Sequence, residues 1–130
     1  MRALCLIDSI TEITSAMAGA VIVSGSHGGR SVSVYALGIM PHPHAVFFND
    51  AGIGKDRAGI VALDHLDSAG VICVTYSHDS ARIGESGDGL AHGVVSALNR
   101  QARTAGIVPG QTVAQAVELL RSRRPSARID

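Results

Sequence analysis

The chain contains no tryptophan, and aromatic residues make up only 3% of its 130 residues. Because large hydrophobic ligand pockets are usually lined with aromatic side chains, this scarcity argues against a large hydrophobic ligand. Valine, isoleucine, leucine and alanine must therefore form the core. The fifteen glycines indicate that the backbone passes through many tight places.

Net charge and long apolar runs are also absent. Eleven basic and eleven acidic residues give a formal net charge of zero, so we expect neither nucleic acid nor a membrane as a partner. No apolar run reaches the length of a membrane span, and the N-terminus lacks the features of a signal peptide. The two cysteines, Cys5 and Cys73, have no zinc-type spacing. We therefore predict a cytoplasmic protein without a metal or cofactor.

The length of the chain predicts one domain, over residues 1–122, followed by a frayed basic tail over residues 123–130. Hydrophobic residues make up 46% of the sequence, which excludes a disordered chain. A small, aromatic-poor domain with no net charge gains burial by self-association, so we predict a homo-oligomer.

Three continuous apolar runs, over residues 20–23, 45–48 and 71–75, predict strands that are buried on both faces, as in parallel sheets. A further strand, at the sheet edge, is predicted within residues 4–14. Helices are predicted over residues 31–38, 57–69 and 90–105, and from Thr112 as a possible N-cap to Arg121. This alternation predicts an α/β fold, a three-layer sandwich with a mostly parallel sheet and glycine-rich loops at the strand C-termini. Ligands in such sheets lie beyond the carboxyl ends of the strands, at a topological switch point.

Loop one, residues 24–31, reads Ser-Gly-Ser-His-Gly-Gly-Arg-Ser. Its glycines let backbone N–H groups approach a ligand, and His27 can project into a cleft between them. The loop matches neither the Walker A motif nor the dinucleotide fingerprint, so nucleotide binding is not expected. The alternative is a glycine-rich turn with an incidental histidine. We assign catalysis to His27 and substrate binding to Ser26, Gly28, Gly29 and Arg30.

Loop two, residues 49–56, contains Asp50 at the predicted strand end and Lys55, the only lysine in the chain. Lys55 could pair with Asp50, hold a substrate carboxylate, or act as a nucleophile if it is desolvated. Both residues are candidate catalytic groups. The alternatives are a turn or N-cap acceptor for Asp50 and a solvated tip for Lys55.

Loop three, residues 77–89, is longer than most connections between core elements, and such loops are usually functional or disordered. His78 is a candidate for proton transfer near neutral pH. Arg82 could hold a carboxylate through two hydrogen bonds, and Ser80 is a further candidate for substrate binding. The alternative is a solvated surface loop with local ion pairs.

Two segments join a buried strand to a short glycine motif: residues 21–29 (VIVSGSHGG) and residues 47–52 (FFNDAG). They resemble the histidine and cysteine halves of the caspase-like cysteine peptidase fold, including its bacterial caspase-HetF-associated branch. The resemblance extends over residues 20–76. Asp50 stands where that family has its catalytic cysteine, which removes thiol chemistry. The resemblance then implies acid–base chemistry by His27 and Asp50, a lost catalytic function, or convergence on a common α/β pattern.

The three loops together predict a small-molecule enzyme, a hydrolase or lyase that acts on a small carboxylated or amide-bearing substrate by His/Asp acid–base chemistry. Lys55, Arg30 and Arg82 would hold an anionic group, and the N–H groups of Gly28 and Gly29 would stabilise an oxyanion. One alternative is a module that binds a small anion without catalysis. The other is a structural subunit of a larger complex.

Overall fold

The computed structural model describes residues 1–122, the side chain of Asp56 excepted, and the predicted frayed tail lies outside the described residues. The strands are β1 (Leu4–Ile7), β2 (Val21–His27), β3 (Ala45–Asn49), β4 (Ile72–Tyr76) and β5 (Val95–Leu98). The α-helices are α1 (Val32–Ala36), α2 (Ala62–Ser68), α3 (Ser86–His92), α4 (Arg100–Thr104) and α5 (Val113–Ser122). Short 3-10 helices cover Ile10–Glu12, Ser15–Met17 and Lys55–Ile60.

The five strands form one sheet in the order β1-β2-β3-β4-β5, so the predicted α/β class with a mostly parallel sheet is confirmed. Strands β1 to β4 are parallel, and β5 pairs antiparallel with β4 at one edge. The described sheet contains no reversal of strand order among its parallel strands. The predicted topological switch point is therefore wrong, and a ligand site must be built by neighbouring loops alone.

The side chains of the strands divide between two buried clusters, as the two-residue period of a strand requires. One cluster contains Val23, Phe47 and Val74 and is completed by residues of α4 and α5. The other contains Ile22, Val46 and Cys73 and is completed by residues of α1 and α2. The continuous apolar runs of the sequence therefore reflect burial of the central strands on both sides.

Strand β2 is longer than the sequence indicated and includes the first half of the predicted loop one. Its pairing with β3 is irregular between Val23 and His27, where Ser24, Gly25 and Ser26 lie. The hydroxyl of Tyr76 donates to the carbonyl oxygen of Ser24 at 2.7 Å. Backbone pairing does not require apolar side chains, so a run of serine and glycine can continue a strand.

The predicted helix over residues 90–105 is wrong, because this segment contains the end of α3, strand β5 and helix α4. Gly93 ends α3, where an added Cβ would lie 2.7 Å from a methyl carbon of Val113. Asn99 then caps α4 by accepting from the N–H of Ala102 at 2.9 Å. Tertiary pairing of β5 with β4, together with the end of α3 at Gly93 and the start of α4 at Asn99, therefore overrides the helical pattern of the sequence.

The predicted helix over residues 57–69 is divided into a 3-10 helix (Lys55–Ile60) and α2. Arg57 has a left-handed backbone with φ of 61°, which an α-helix does not accommodate. The N-cap prediction for α5 is confirmed, since Thr112 Oγ1 accepts from the N–H of Gln115 at 3.0 Å. The side chain of Gln115 accepts in return from the N–H of Thr112 at 3.0 Å, which completes a capping box.

Candidate functional site

The carboxyl ends of β2, β3 and β4 lie side by side at one edge of the sheet. His27 is the register partner of Asn49, which is in turn the partner of Tyr76. The N–H of Asp50 donates to the carbonyl oxygen of Tyr76 at 2.8 Å. Loop two therefore contacts loop one on one side and loop three on the other.

Asp50 lies at the centre of this edge and is only 4% exposed. Its Oδ1 atom accepts two backbone hydrogen bonds, from the N–H of Gly52 at 2.8 Å and from the N–H of His78 at 3.0 Å. The first bond shapes the loop-two turn and the second fixes the start of loop three. The same carboxylate thus holds two loops together from a buried position.

The ring of His78 lies between two carboxylates. Its Nδ1 atom is 3.5 Å from Oδ1 of Asp50, and its Nε2 atom is 3.2 Å from Oδ1 of Asp79. The His78 side chain is 52% exposed and that of Asp79 is 87% exposed, so one partner is buried and the other is in solvent. The ring therefore has a buried carboxylate near Nδ1 and an exposed carboxylate near Nε2.

Gly52 provides the space that the His78 ring occupies. A Cβ atom at this position would lie 3.3 Å from Cε1 of His78, which is tighter than ordinary van der Waals contact. The φ of Gly52 is also positive, at 75°. Both the turn and the ring position therefore favour glycine here.

Loop two has a strained backbone. Ala51 and Ile53 both have left-handed φ values, as does Arg57 just after the loop, and this conformation is especially unfavourable for the β-branched Ile53. Hydrogen bonds hold the loop in place, from the N–H of Ile53 to the carbonyl oxygen of Asp50 at 2.6 Å and from the N–H of Gly59 to that of Ile53 at 2.5 Å. Strain of this kind concentrates at functional sites.

A pocket of about 220 Å³ lies between loops one and two. Its lining residues are His27, Ala51, Ile53, Gly54, Ala58 and Gly59. The turn at residues 51–52 separates this pocket from His78, because residue 51 lines the pocket and residue 52 lies against the His78 ring. The two histidines of the predicted site thus flank the same turn.

The predicted binding groups of loop one are differently placed. The N–H of Gly28 donates to the carbonyl oxygen of Asn49 at 3.1 Å, so it is already used within the sheet edge. An added Cβ at Gly29 would lie 2.7 Å from Nδ1 of His27, so this glycine lies against the histidine ring. Arg30 is exposed, as is Lys55 of loop two.

The hydroxyl groups of Ser26 and Ser80 take part in structural hydrogen bonds. Ser26 Oγ accepts from the N–H of Ile10 at 3.0 Å, which joins β2 to the segment after β1. Ser80 Oγ donates to the carbonyl oxygen of Ser77 at 2.7 Å and accepts from the N–H of Val94 at 2.9 Å. These contacts explain both serines without a ligand.

Loop three crosses the carboxyl edge of the sheet after His78. Asn49 Nδ2 donates to the carbonyl oxygen of Ala81 at 3.0 Å, and the N–H of Gly84 donates to that of Gly25 at 2.6 Å. Arg82 is exposed on this path, and within residues 1–122 no ion pair joins it to Asp50 or His78. The structure therefore brings Asp50 and His78 together but does not bring Arg82 to them.

Asp8 is a structural residue that the sequence analysis missed. Its Oδ1 atom accepts from both the N–H and the hydroxyl of Ser86 at 2.9 Å, which fastens the start of α3 to the end of β1. These hydrogen bonds lower the pKa of Asp8 below its usual value. The pKa of Asp88 is also lowered, first by the N–H of Arg82 and then by the ring of His92.

Cys73 and Tyr76 are two ionisable groups buried within the sheet. Burial raises the pKa of the Cys73 thiol, which agrees with its predicted place in the core. Burial also raises the pKa of Tyr76, with smaller contributions from Asp88 and Asp8. Residues 1–122 contain no group of three or more His, Cys, Asp or Glu side chains suited to a metal ion.

None of the described helices combines the length and apolarity needed to cross a membrane.

Comparison of the chain with protein-family models, with curated proteins and with solved structures gives no significant match. The resemblance of residues 20–76 to the caspase-like fold therefore stays a prediction. The chemistry of the site has to be argued from its own geometry.

Proposed function

We propose that the protein is a small-molecule enzyme, a hydrolase or lyase, in which His78 transfers the proton and Asp50 orients its ring. One observation carries this proposal: the buried carboxylate of Asp50 lies 3.5 Å from Nδ1 of a half-exposed histidine. Contacts that become catalytic hydrogen bonds are often long or poorly aligned in an unliganded enzyme and tighten when the substrate binds.

The burial of Asp50 assigns it a positioning role in this proposal. Its Oδ1 atom is held by two backbone N–H groups, so its direction is fixed before any ligand arrives. An Nδ1–H group facing this oxygen leaves Nε2 as the basic nitrogen of the neutral ring. His78 would then accept a proton through Nε2 and return it to the leaving group.

The pocket beside His27 lies across the turn at residues 51–52 from His78, and a substrate that extends over this turn would place its unreactive part there. Its size suits a small compound, and His27 supplies a polar group within it. Lys55 and Arg30 remain the predicted holders of a carboxylate or amide, whereas Arg82 is given no such role because it does not lie with Asp50 and His78. Because the N–H of Gly28 is used by Asn49, we assign no oxyanion role to that group.

The ring tautomer of His78 tests the positioning role of Asp50. We expect ¹⁵N NMR of the histidine rings above their titration range to find the Nδ1–H form at His78. Asp50→Asn should shift this population, whereas Asp64→Asn, the same change on the exposed surface of α2, should not. An Nε2–H tautomer in the unchanged protein would contradict the proposed orientation.

Turnover tests the catalytic role. A panel of small carboxylates, amides and esters would be incubated with the protein and the products followed by mass spectrometry. His78→Gln should abolish any turnover, and His92→Gln, at an exposed histidine of α3, should retain it. Equal turnover in the two variants would refute the role of His78.

Binding of a small anion without catalysis is the second candidate. It is favoured by the exposure of Arg30 and Lys55, two cationic side chains on loops one and two that a small anion in solvent can reach. This function predicts that a bound ligand is recovered unchanged after prolonged incubation.

The finer features of the fold belong to the same proposal. The two buried clusters support a three-layer sandwich, with loop two as the glycine-rich loop at a strand C-terminus. We also propose that the protein is cytoplasmic and that it self-associates. Sedimentation at micromolar concentration should then find a species heavier than the 13.4 kDa monomer.

A further inference from the structure

Strand β1 forms one edge of the described sheet and pairs only with β2. The N–H of Val21 in β2 donates to the carbonyl oxygen of Ala3 at 2.9 Å. Because the backbone groups of successive strand residues point in opposite directions, the odd-numbered residues of β1 face β2 and the even-numbered residues face away from it. Before the strand, the outward N–H of Arg2 donates to the carbonyl oxygen of Arg121 at 3.2 Å. The open stretch of the edge therefore begins at Leu4.

The two edges of the sheet differ in how they are covered. Within residues 1–122, the outward N–H and C=O groups of Leu4 and Leu6 have no backbone partner. At the opposite edge, Val95 of β5 donates to the carbonyl oxygen of Gln111 at 2.8 Å and accepts from the N–H of Gly110 at 2.9 Å. The backbone of β1 is therefore available to a further strand, whereas that of β5 is partly used.

The side chains of β1 do not protect its edge. Its sequence, Leu-Cys-Leu-Ile, contains no charged residue and no proline, which are the usual devices that prevent an edge strand from pairing with another chain. Leu6 is 44% exposed although its side chain is large and apolar. A strand added here would both satisfy the outward backbone groups and cover the Leu6 side chain.

An antiparallel pair of β1 strands centred on Cys5 is self-complementary. In this register Leu4 of each copy lies opposite Leu6 of the other, and these residues carry the outward backbone groups that the pairing needs. Arg2 of each copy then lies opposite Asp8 of the other, so opposite charges meet at both ends of the pair. A register centred on Leu6 would instead place Leu4 opposite Asp8. The residues in and around β1 therefore fit a second copy of the same segment in one particular register.

We propose that two copies of the chain associate through antiparallel β1 strands, in the register centred on Cys5, and so join their two five-stranded sheets into one. This inference rests on the self-association proposed above and assigns a surface to it. The site at the carboxyl ends of β2, β3 and β4 is not part of this surface. A twofold axis through the pair makes the two halves of the interface identical.

Cys5 makes the register testable. It would lie opposite Cys5 of the second copy at a non-hydrogen-bonded position, where Cα atoms are about 4.5 Å apart, and disulfides accept Cα separations of about 4.4–6.8 Å. Copper phenanthroline in air would oxidise the two thiols to a disulfide, and oxygen would take up the two electrons and two protons. We expect peptide mass spectrometry to find a Cys5–Cys5 link between copies, and the buried Cys73 to stay unlinked.

Two substitutions of Leu6 test the edge itself. Leu6→Lys places a charge opposite Leu4 of the second copy, and Leu6→Pro removes an outward N–H without removing a bond to β2. In sedimentation, each should raise the dissociation constant of the dimer at least about tenfold, and each should prevent the disulfide. Val108→Lys, the same change at an apolar residue that is 51% exposed between α4 and α5, should keep both the dimer and the disulfide.

The possible failures can be told apart. A dimer that does not link through Cys5, or that persists in Leu6→Lys, would overturn the proposed edge and leave self-association through another surface. A disulfide that forms equally in Leu6→Lys would reflect random collision and would also overturn it. A monomer at every concentration would refute the edge and self-association together. Turnover is measured separately, so failure of the proposed enzyme activity would leave this surface unaffected.

Discussion

Replacement of Asp50 by alanine should destabilise the fold, because two backbone N–H groups depend on this carboxylate. The bonds from Gly52 and His78, at 2.8 Å and 3.0 Å, would both lose their acceptor. A hydrogen bond to a charged group contributes ~1.5–3 kcal/mol, so removal of both should lower the free energy of unfolding by about 3–6 kcal/mol. Asp50→Asn keeps an acceptor oxygen but loses the charge, and should cost about 2 kcal/mol.

Urea denaturation followed by circular dichroism measures these differences, with Asp64→Ala as the matched control at an exposed position. We expect the control to lie within ~0.5 kcal/mol of the unchanged protein, as surface substitutions usually do. If Asp50→Ala were as stable as Asp64→Ala, the carboxylate would not hold loops two and three together. The expected ranking places Asp50→Asn between Asp50→Ala and the control.

Three further predictions concern the same edge of the sheet. Gly59→Ala should lower the free energy of unfolding by ~1–3 kcal/mol, because its Cβ would overlap the carbonyl oxygen of Asp50, whereas Gly87→Ala, in open space within α3, should raise it by ~0.5–1 kcal/mol. A denaturation series in which both variants behave alike would contradict this packing. The lowered pKa of Asp8 adds stability that is fully present above the ordinary value of 3.8 and is lost as the pH falls through its folded-state value. The acid unfolding curve of Asp8→Asn should therefore depend less on pH, and an unchanged curve would exclude that contribution. The raised pKa of Tyr76 adds stability that is lost as the pH rises above the ordinary value of 10.0. Alkaline unfolding should be shallower in Tyr76→Phe, and an identical slope would exclude the buried phenol as its cause.

The sequence predicted the elements that depend on a local pattern of residues. The apolar runs located β2, β3 and β4, and Thr112 was recognised as the N-cap of α5. In a parallel sheet, adjacent strands place their carboxyl ends at one edge, so Asp50 and His78 could be expected near one another. Both inferences follow from short-range patterns and a general rule of topology.

Contacts between residues that lie far apart in the chain could not be predicted from the sequence. The hydrogen bonds that Ser86 donates to Asp8 join residues 78 positions apart, and no local signal specifies them. Strand β5 was mistaken for helix because its pairing with β4 decides its conformation. The left-handed backbone of Ile53 opposes the preference of its residue type. The contact between Asp79 and His78, by contrast, joins neighbouring residues and could have been predicted from the sequence.

The two buried clusters are completed at different times during synthesis of the chain. Every fully buried member of the cluster under α1 and α2 precedes β5, the last of them being Cys73. The opposite cluster receives its cover from Ala81 onward, through α4 and α5. When only β1 to β4 have emerged from the ribosome, the sheet of the nascent chain has one face covered by helices and one apolar face exposed to solvent. A chaperone or a second nascent chain that binds at that stage would contact the exposed face, which includes Val23, Phe47 and Val74.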